Sequence, residues 1–182
     1  MDGILGDNIM EYKITFKNQF KTLEFLIYGS VLFCGLVYFL YQTEGFSWDL
    51  LKFFFIYYLI LFIPTILLHC EYYLINKNDI IIINIYQKNI SFNFNPAIYF
   101  SELEKITLYM PPVWYRKSFI RFLPFEDYRY ATIKLKSGNQ YIITCLMMYD
   151  LEKVMSTISG VSIEKKKRFI ASPLLERLFS NE

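Results

Sequence analysis

His69 is the only histidine in the chain, and Cys70 and Glu71 follow it directly. These are residue types that zinc sites and acid–base relays use. Adjacent side chains, however, do not converge on one ion, and one His with one neighbouring Cys supplies at most two of the four ligands a zinc ion takes. A Ser-His-Asp triad would have to be assembled around the same imidazole. His69 therefore reads as an interfacial, non-catalytic histidine. The cysteines Cys34, Cys70 and Cys145 are odd in number and widely spaced, giving neither a disulfide framework nor a C-x-x-C metal pair. No H-E-x-x-H, P-loop, G-x-G-x-x-G or G-x-S-x-G occurs. The paired acids Glu102 and Glu104, and Glu126 and Asp127, read as solvated faces and turn residues. The expectation is a non-enzymatic protein with no catalytic residue, no cofactor and no metal.

Two other residue sets could do binding chemistry. The segment Pro111 to Asp127 mixes Trp114, Tyr115, Phe119, Phe122 and Phe125 with Arg116, Lys117 and Arg121. Rings beside cations suit a lipid headgroup boundary. They also suit a protein partner or single-stranded nucleic acid, or simply a loop folding its aromatics onto a sheet. Nucleic acid ranks last, and none is expected as a partner. The tail carries Lys165, Lys166, Lys167 and Arg168 in succession. Ser172 then offers a helix N-cap, Pro173 a first helical residue, and Leu174, Leu175, Leu178 and Phe179 an apolar face. A basic cluster before a short amphipathic helix fits an anionic leaflet, and equally fits docking on the chain's own domain or on a partner.

The elements that must position these sets begin with two charge-free runs. Phe25 to Tyr41 has seventeen residues and Phe53 to Leu68 sixteen. Crossing about 30 Å of hydrocarbon takes roughly 20 residues, and flanking Leu23, Leu50, Leu51 and a snorkelling Lys52 supply the difference. The second run holds twelve Leu, Ile or Phe residues, which favour insertion by about 4 to 7 kcal/mol before Pro64, Thr65 and the tyrosines are counted. A chain of 182 residues with 54% hydrophobic content is too small to cover two such helices as a soluble core. The linker Gln42 to Asp49 is short, which makes the pair an antiparallel transmembrane hairpin. Gly29, Ser30, Cys34 and Gly35 could allow close approach of the two helices. No small-x-small cleavage site follows the first run, so it reads as an anchor. Lys13, Lys17 and Lys21 precede the first span and Glu44 and Asp49 sit in the loop. The positive-inside rule then puts both termini in the cytoplasm of a multi-pass bacterial inner-membrane protein.

From Tyr72 onward the period becomes strand-like. YYLINKNDIIIINIY reads as two β-rich runs around a turn at Asn76–Asp79, followed by ISFNFN, FSELEKITLYM, YRYATIKL and QYIITCLM. Leu151, Val154, Met155 and Ile158 recur at helical spacing behind Asp150. The expected order is six or seven antiparallel strands capped by one C-terminal helix. Before the first span, Tyr12, Ile14 and Phe16 alternate with polar residues as in a strand, while Ile9, Tyr12, Phe16, Phe20 and Leu23 would make a helical stripe. The strand is favoured, with a helix from about Asn18.

This layout resembles the bacterial pleckstrin-homology-like family in its membrane-anchored form. The stretches carrying the resemblance are YYLINKNDIIII for an opening hairpin, FSELEKITLY for a strand where a Ser-x-(Ile/Leu)-x-x-Ile pattern is usual, and ATIKLKSGNQYIIT with YDLEKVMSTI for the last hairpin and helix. They specify packing and turns, and the family shares no catalytic residues to carry over. The resemblance implies a two-helix membrane hairpin plus an α+β cytoplasmic domain, a curled antiparallel sheet or barrel closed by a helix. The expected organisation is 1–22 as an N-terminal cytoplasmic segment, 23–69 as the hairpin, 70–160 as the domain and 161–182 as a basic tail.

Residues 71 to 182 hold fifteen basic and eleven acidic side chains, a net charge of +4 that favours an anionic leaflet. The chain thus reads as a scaffold, accessory subunit or interaction module at the membrane face, in contact with the bilayer and with a protein partner or a second copy of itself. The alternatives are a module binding lipid headgroups or peptide, and an accessory subunit of a membrane enzyme or transporter. The candidate contact residues are Lys165, Lys166, Lys167, Arg168, Trp114, Arg116, Lys117 and Arg121.

Overall fold

The computed structural model describes residues 9–42, 47–116 and 123–179. The chain opens with strand β1 (Ile9–Tyr12), enters helices α1 (Phe16–Gln42) and α2 (Trp48–Asn76), and continues through β2 (Ile81–Asn84), β3 (Asn89–Phe92), β4 (Ile98–Tyr99) and β5 (Leu103–Met110). The short helix α3 (Pro112–Tyr115) precedes β6 (Tyr130–Leu135) and β7 (Gln140–Thr144). Helix α4 (Leu151–Ser156), strand β8 (Ser162–Lys167) and helix α5 (Pro173–Phe179) complete it.

Two four-stranded sheets form, in the orders β1-β2-β3-β4 and β7-β6-β5-β8. The expected closed or curled single sheet is therefore corrected: the two sheets face each other across a core and, among the described residues, no strand pairing joins them. Ile81, Ile83, Ile90 and Phe92 from the first sheet meet Ile106, Leu108, Ile133 and Ile143 from the second, as alternation along each strand requires. Leu151 and Met155 on α4, fully buried, and Ile158 just beyond that helix cap this core. From Tyr72 onward six strands among the described residues, β2 to β7, precede the capping helix, within the expected six or seven, but a further strand follows it: β8 runs parallel to β5 from Lys105↔Ser162 to Met110↔Lys167. The capping helix is thus not the last element. The basic run is the second half of that edge strand and not a free tail.

The N-terminal strand forms: Ile9–Tyr12 pairs antiparallel with Ile81–Asn84. The helix after it starts at Phe16, slightly earlier than about Asn18. The helical pair is consequently inserted between two adjacent, hydrogen-bonded strands of one sheet. The second helix also runs further than the sequence suggests. Tyr72 to Asn76 is helical, and the first hairpin is β2–β3. The physical reason is one continuing row of side chains: Leu68, Tyr72 and Asn76, four residues apart, are all buried against the domain. Local β-propensity of Tyr72, Tyr73 and Ile75 loses to that packing.

At about 1.5 Å per residue the 27 residues of α1 and 29 of α2 reach about 40 Å. That exceeds a bilayer's hydrocarbon thickness by about 10 Å, and the turns nearest the sheets are docked on the domain. Thr22 is buried and its hydroxyl donates to the Asn18 carbonyl at 2.9 Å, while the Asn18 amide donates to the Met147 carbonyl at 3.0 Å. On α2, Leu68 and Tyr72 enter a second core with Tyr109, Tyr128, Tyr130, Cys145 and Ala171. Above these docked turns both helices expose large apolar side chains, among them Leu32 at 74%, Phe53 at 65% and Ile60 at 63%. Both are long and apolar enough to cross a membrane.

The helices touch at Gly29 and Ser30. A Cβ at Gly29 would sit 2.8 Å from the ring of Phe62, and Ser30 Oγ lies 2.8 Å from the Tyr58 hydroxyl. Phe33, Tyr58 and Phe62 stack in a row. Cys34 is exposed and Gly35 has open space beside it, so those two small residues take no part in the contact. Helix α2 continues through Pro64.

Candidate functional site

A cleft of about 530 Å³ lies where β1 and the first turns of α1 face the Met147–Asp150 loop and α4. Lys13, Lys17, Lys21 and Lys153 line it, with Glu11 and Asp150 as the lining carboxylates. Lys17 and Lys21 are one helical turn apart and share a face. Lys13 is paired with Glu11 at 3.4 Å, and the Lys21 ammonium sits 3.7 Å over the ring of Tyr149. Lys17 and Lys153 are exposed, and neither makes an ion pair among the described residues. Burial, reinforced by nearby Asp150, pushes the Tyr12 phenol above its usual range, so that group stays a neutral donor. The cleft thus offers cations, hydroxyls and amide groups to an anion, without a nucleophile activated by a base.

Beside the cleft, residues 111–116 and 123–127 pack onto their own domain. Trp114 donates from Nε1 to the Glu126 carbonyl at 2.8 Å and stacks at 3.4 Å under the guanidinium of Arg129, which is 3% exposed. Arg129 also donates to the Tyr149 carbonyl. Trp114, Arg129, Tyr149 and Lys21 therefore form a continuous cation–aromatic stack reaching from this segment to the lysine cleft. Trp114 is a packing residue here, and Arg116 is exposed. Lys117 and Arg121 lie outside the described residues.

The basic run does not form one patch. Alternation along β8 turns Lys165 and Lys167 to one side and Lys166 to the other. Lys165 pairs with Glu152, Lys166 approaches the Tyr109 ring at 5.6 Å, and Arg168 makes a bidentate pair with Glu176, both bonds 2.8 Å. Lys167 is exposed. Of the alternatives open for this run, contact with the chain's own domain accounts for two of the four charges, which Glu152 and Glu176 receive.

Ser172 caps α5 as its sequence suggested: its hydroxyl accepts from the Leu175 amide at 3.1 Å. The same hydroxyl donates to the Glu71 carboxylate. His69 Nδ1 lies 3.0 Å from the Tyr128 hydroxyl, a structural contact. Cys145 is fully buried, and burial pushes its thiol above the usual range. No group of three or more metal-ligating side chains occurs among the described residues.

Sequence reasoning missed two things. Lys13, Lys17 and Lys21 were informative only as a topology signal, and Lys153 carried none. Arg129 gave no hint of burial, since the aromatic rings that sandwich it lie 15 residues before and 20 after it.

A family model described as a PH domain matches residues 11–154. The chain belongs to the PH domain family. The match agrees with the resemblance to bacterial pleckstrin-homology-like proteins. It begins inside β1, runs across both apolar helices and ends within α4, so the helical pair lies inside the matched PH segment and β8 and α5 lie beyond it. No curated protein and no solved structure matches the chain.

Proposed function

We propose that this PH domain is a non-enzymatic interaction module held at a fixed height on the cytoplasmic face of a bacterial inner membrane by a hairpin spanning the bilayer. The observation that carries this reading is the insertion of α1 and α2 between the paired strands β1 and β2. Helices that leave and re-enter one sheet must begin and end on the same side of whatever they cross. Their upper turns expose many large apolar side chains, among them Leu32, Phe53 and Ile60, where an ordinary soluble surface carries apolar patches of about a few hundred Å². Their lower turns are docked, so the domain hangs as a rigid platform and not on a flexible tether. Lys13, Lys17 and Lys21 against Glu44 and Asp49 favour the cytoplasmic side. Such a platform suits a scaffold or accessory subunit that presents one face to a protein partner.

The test is membrane extraction with site-directed labelling in a Cys34→Ser, Cys70→Ser background. The protein is expected in the carbonate-resistant membrane fraction. Gly45→Cys is expected to react with an impermeant reagent in intact cells, and Ser180→Cys only after permeabilisation. A carbonate-soluble protein, or labelling of position 180 but not 45 in intact cells, overturns the reading.

The lysine cleft favours a second reading, a module for anionic headgroups, because Lys17 and Lys153 flank it at the foot of α1. Co-purification of phosphatidylglycerol that falls in Lys17→Ala/Lys153→Ala supports it. Unchanged lipid content removes it.

A further inference from the structure

The C-terminal extension beyond the matched PH segment contains a short helix whose apolar side is largely exposed. Leu174, Leu175 and Leu178 are 58%, 39% and 63% exposed. On a helical wheel they share an arc of about 100°, and Glu176 lies on the opposite side. Glu176 is held by Arg168, so the polar side of α5 faces the domain and the leucines face away from it.

The other anchor of α5 is α2. Glu71 accepts hydrogen bonds from the Ser172 hydroxyl and from the Leu174 amide at 2.6 Å, and the Tyr72 hydroxyl donates to the Ala171 carbonyl. Glu71 is the third residue after the charge-free run ending at Leu68, about 4–5 Å further along the helix axis. That is headgroup depth for a helix leaving the hydrocarbon. A seven-residue helix is too short to persist alone in water; here two anchors fix both its depth and its rotation. An apolar face held at that depth, pointing away from the protein, meets the acyl boundary of the same leaflet.

We infer that α5 is an interfacial helix, lying against the bilayer with Leu174, Leu175 and Leu178 in the acyl boundary, clasped to the foot of α2 through Glu71. This rests on the reading that α1 and α2 span the bilayer. The occupant is lipid and not a protein partner because the bonds to Glu71 hold the face within about one helical turn of the end of the charge-free run on α2.

The test uses the full chain in vesicles of phosphatidylcholine and phosphatidylglycerol, with one nitroxide at a time. The label sits at native Cys34 in Cys70→Ser, or at Leu178→Cys, Leu174→Cys or Gln87→Cys in Cys34→Ser, Cys70→Ser. Buried Cys145 stays unlabelled. Oxygen, concentrated in hydrocarbon, should collide with labels at 34, 174 and 178 more often than a water-soluble nickel chelate does. The order should reverse at position 87 on the β2–β3 turn. Labels at 174 and 178 as open to nickel as position 87, with 34 still in lipid, overturn the inference and leave the span reading intact. Labels at 174 and 178 shielded from both reagents show a protein contact and overturn it too. Nickel access at 34 removes the span reading itself.

Discussion

Glu71 and Ser172 join α2 to the C-terminal helix α5, with the Ser172 hydroxyl donating to both carboxylate oxygens of Glu71 at 3.0 and 2.8 Å. The same serine oxygen accepts the Leu175 amide. One hydroxyl thus starts helix α5 and ties it to α2, 101 residues away in the chain. Because the acceptor is a carboxylate, the bond is of the stronger, charge-assisted kind. Its half-exposed setting limits the gain.

Glu71→Ala removes the acceptor for Ser172 and for the Leu174 amide together. The expected outcome is loosening of α5 by about 1–2 kcal/mol with the sheets unaffected. Hydrogen exchange should show faster exchange at 172–179 and no change in β5 and β6. Unchanged exchange at 172–179 would mean that Arg168 alone holds the helix.

Asn76 replaces a missing strand. It is 1% exposed; its amide nitrogen donates to the Ile142 carbonyl at 2.9 Å, and its oxygen accepts from the Thr144 amide at 3.0 Å. These are backbone groups on the free edge of β7, so a side chain of α2 satisfies an edge that the sheet leaves open. Asn76→Ala strands both groups in a water-poor site and should cost about 3 kcal/mol. A lower midpoint of thermal unfolding in detergent checks this. A midpoint within a degree of the parent would show that water reaches the edge.

The apolar periods of the sequence determine most of the core. Leu151, Val154 and Met155 pack on the core as their helical spacing demanded, Ile158 does so from beyond the helix end, and Tyr12 and Ile90 alternate as strands. Tyr72 to Asn76 misled because its composition favours a strand, and only the tertiary row from Leu68 shows the helix. The basic run misled for another reason. Four adjacent cations suggest a free tail, but the alternation that makes β8 a strand separates them, and Glu152 and Glu176 neutralise Lys165 and Arg168. The lysine cleft was not legible because Lys153 joins Lys17 and Lys21 only through the fold.

At Gly29 the two apolar helices are in close contact: a Cβ there would meet the Phe62 ring at 2.8 Å. Phe62 is 6% exposed and stacked on Tyr58 at 4.0 Å, so its ring has little room to yield. Gly29→Val should destabilise the helix pair by about 1–3 kcal/mol through overpacking. Gly35→Val, beside open space, should have no such effect. Disulfide formation between Ser30→Cys and Tyr58→Cys reads the approach directly, and equal yields in both backgrounds would show that the helices do not pack at Gly29.

The Arg168–Glu176 pair gives α5 a dependence on pH whose sign is fixed. The hydrogen bond from Arg168 holds the Glu176 carboxyl below its usual 4.5, with Lys166 and Tyr109 adding to the effect and burial opposing it. A carboxyl whose pKa is depressed in the folded state stabilises that state above its unfolded value, and the contribution is lost as pH falls through the folded value. Docking of α5 should therefore be constant from pH 8 to about 5 and weaken below about 4.5. Glu164 is lowered in the same way by Lys105, so β8 loses support over a similar range. Glu176→Gln separates the two, because it deletes only the contribution at α5. The mobility of a nitroxide at Leu178→Cys should rise on acidification in the parent protein, and should be high and nearly independent of pH in Glu176→Gln. Equal acid-induced rises in both proteins would place the titrating group elsewhere, with Glu164 the first residue to test.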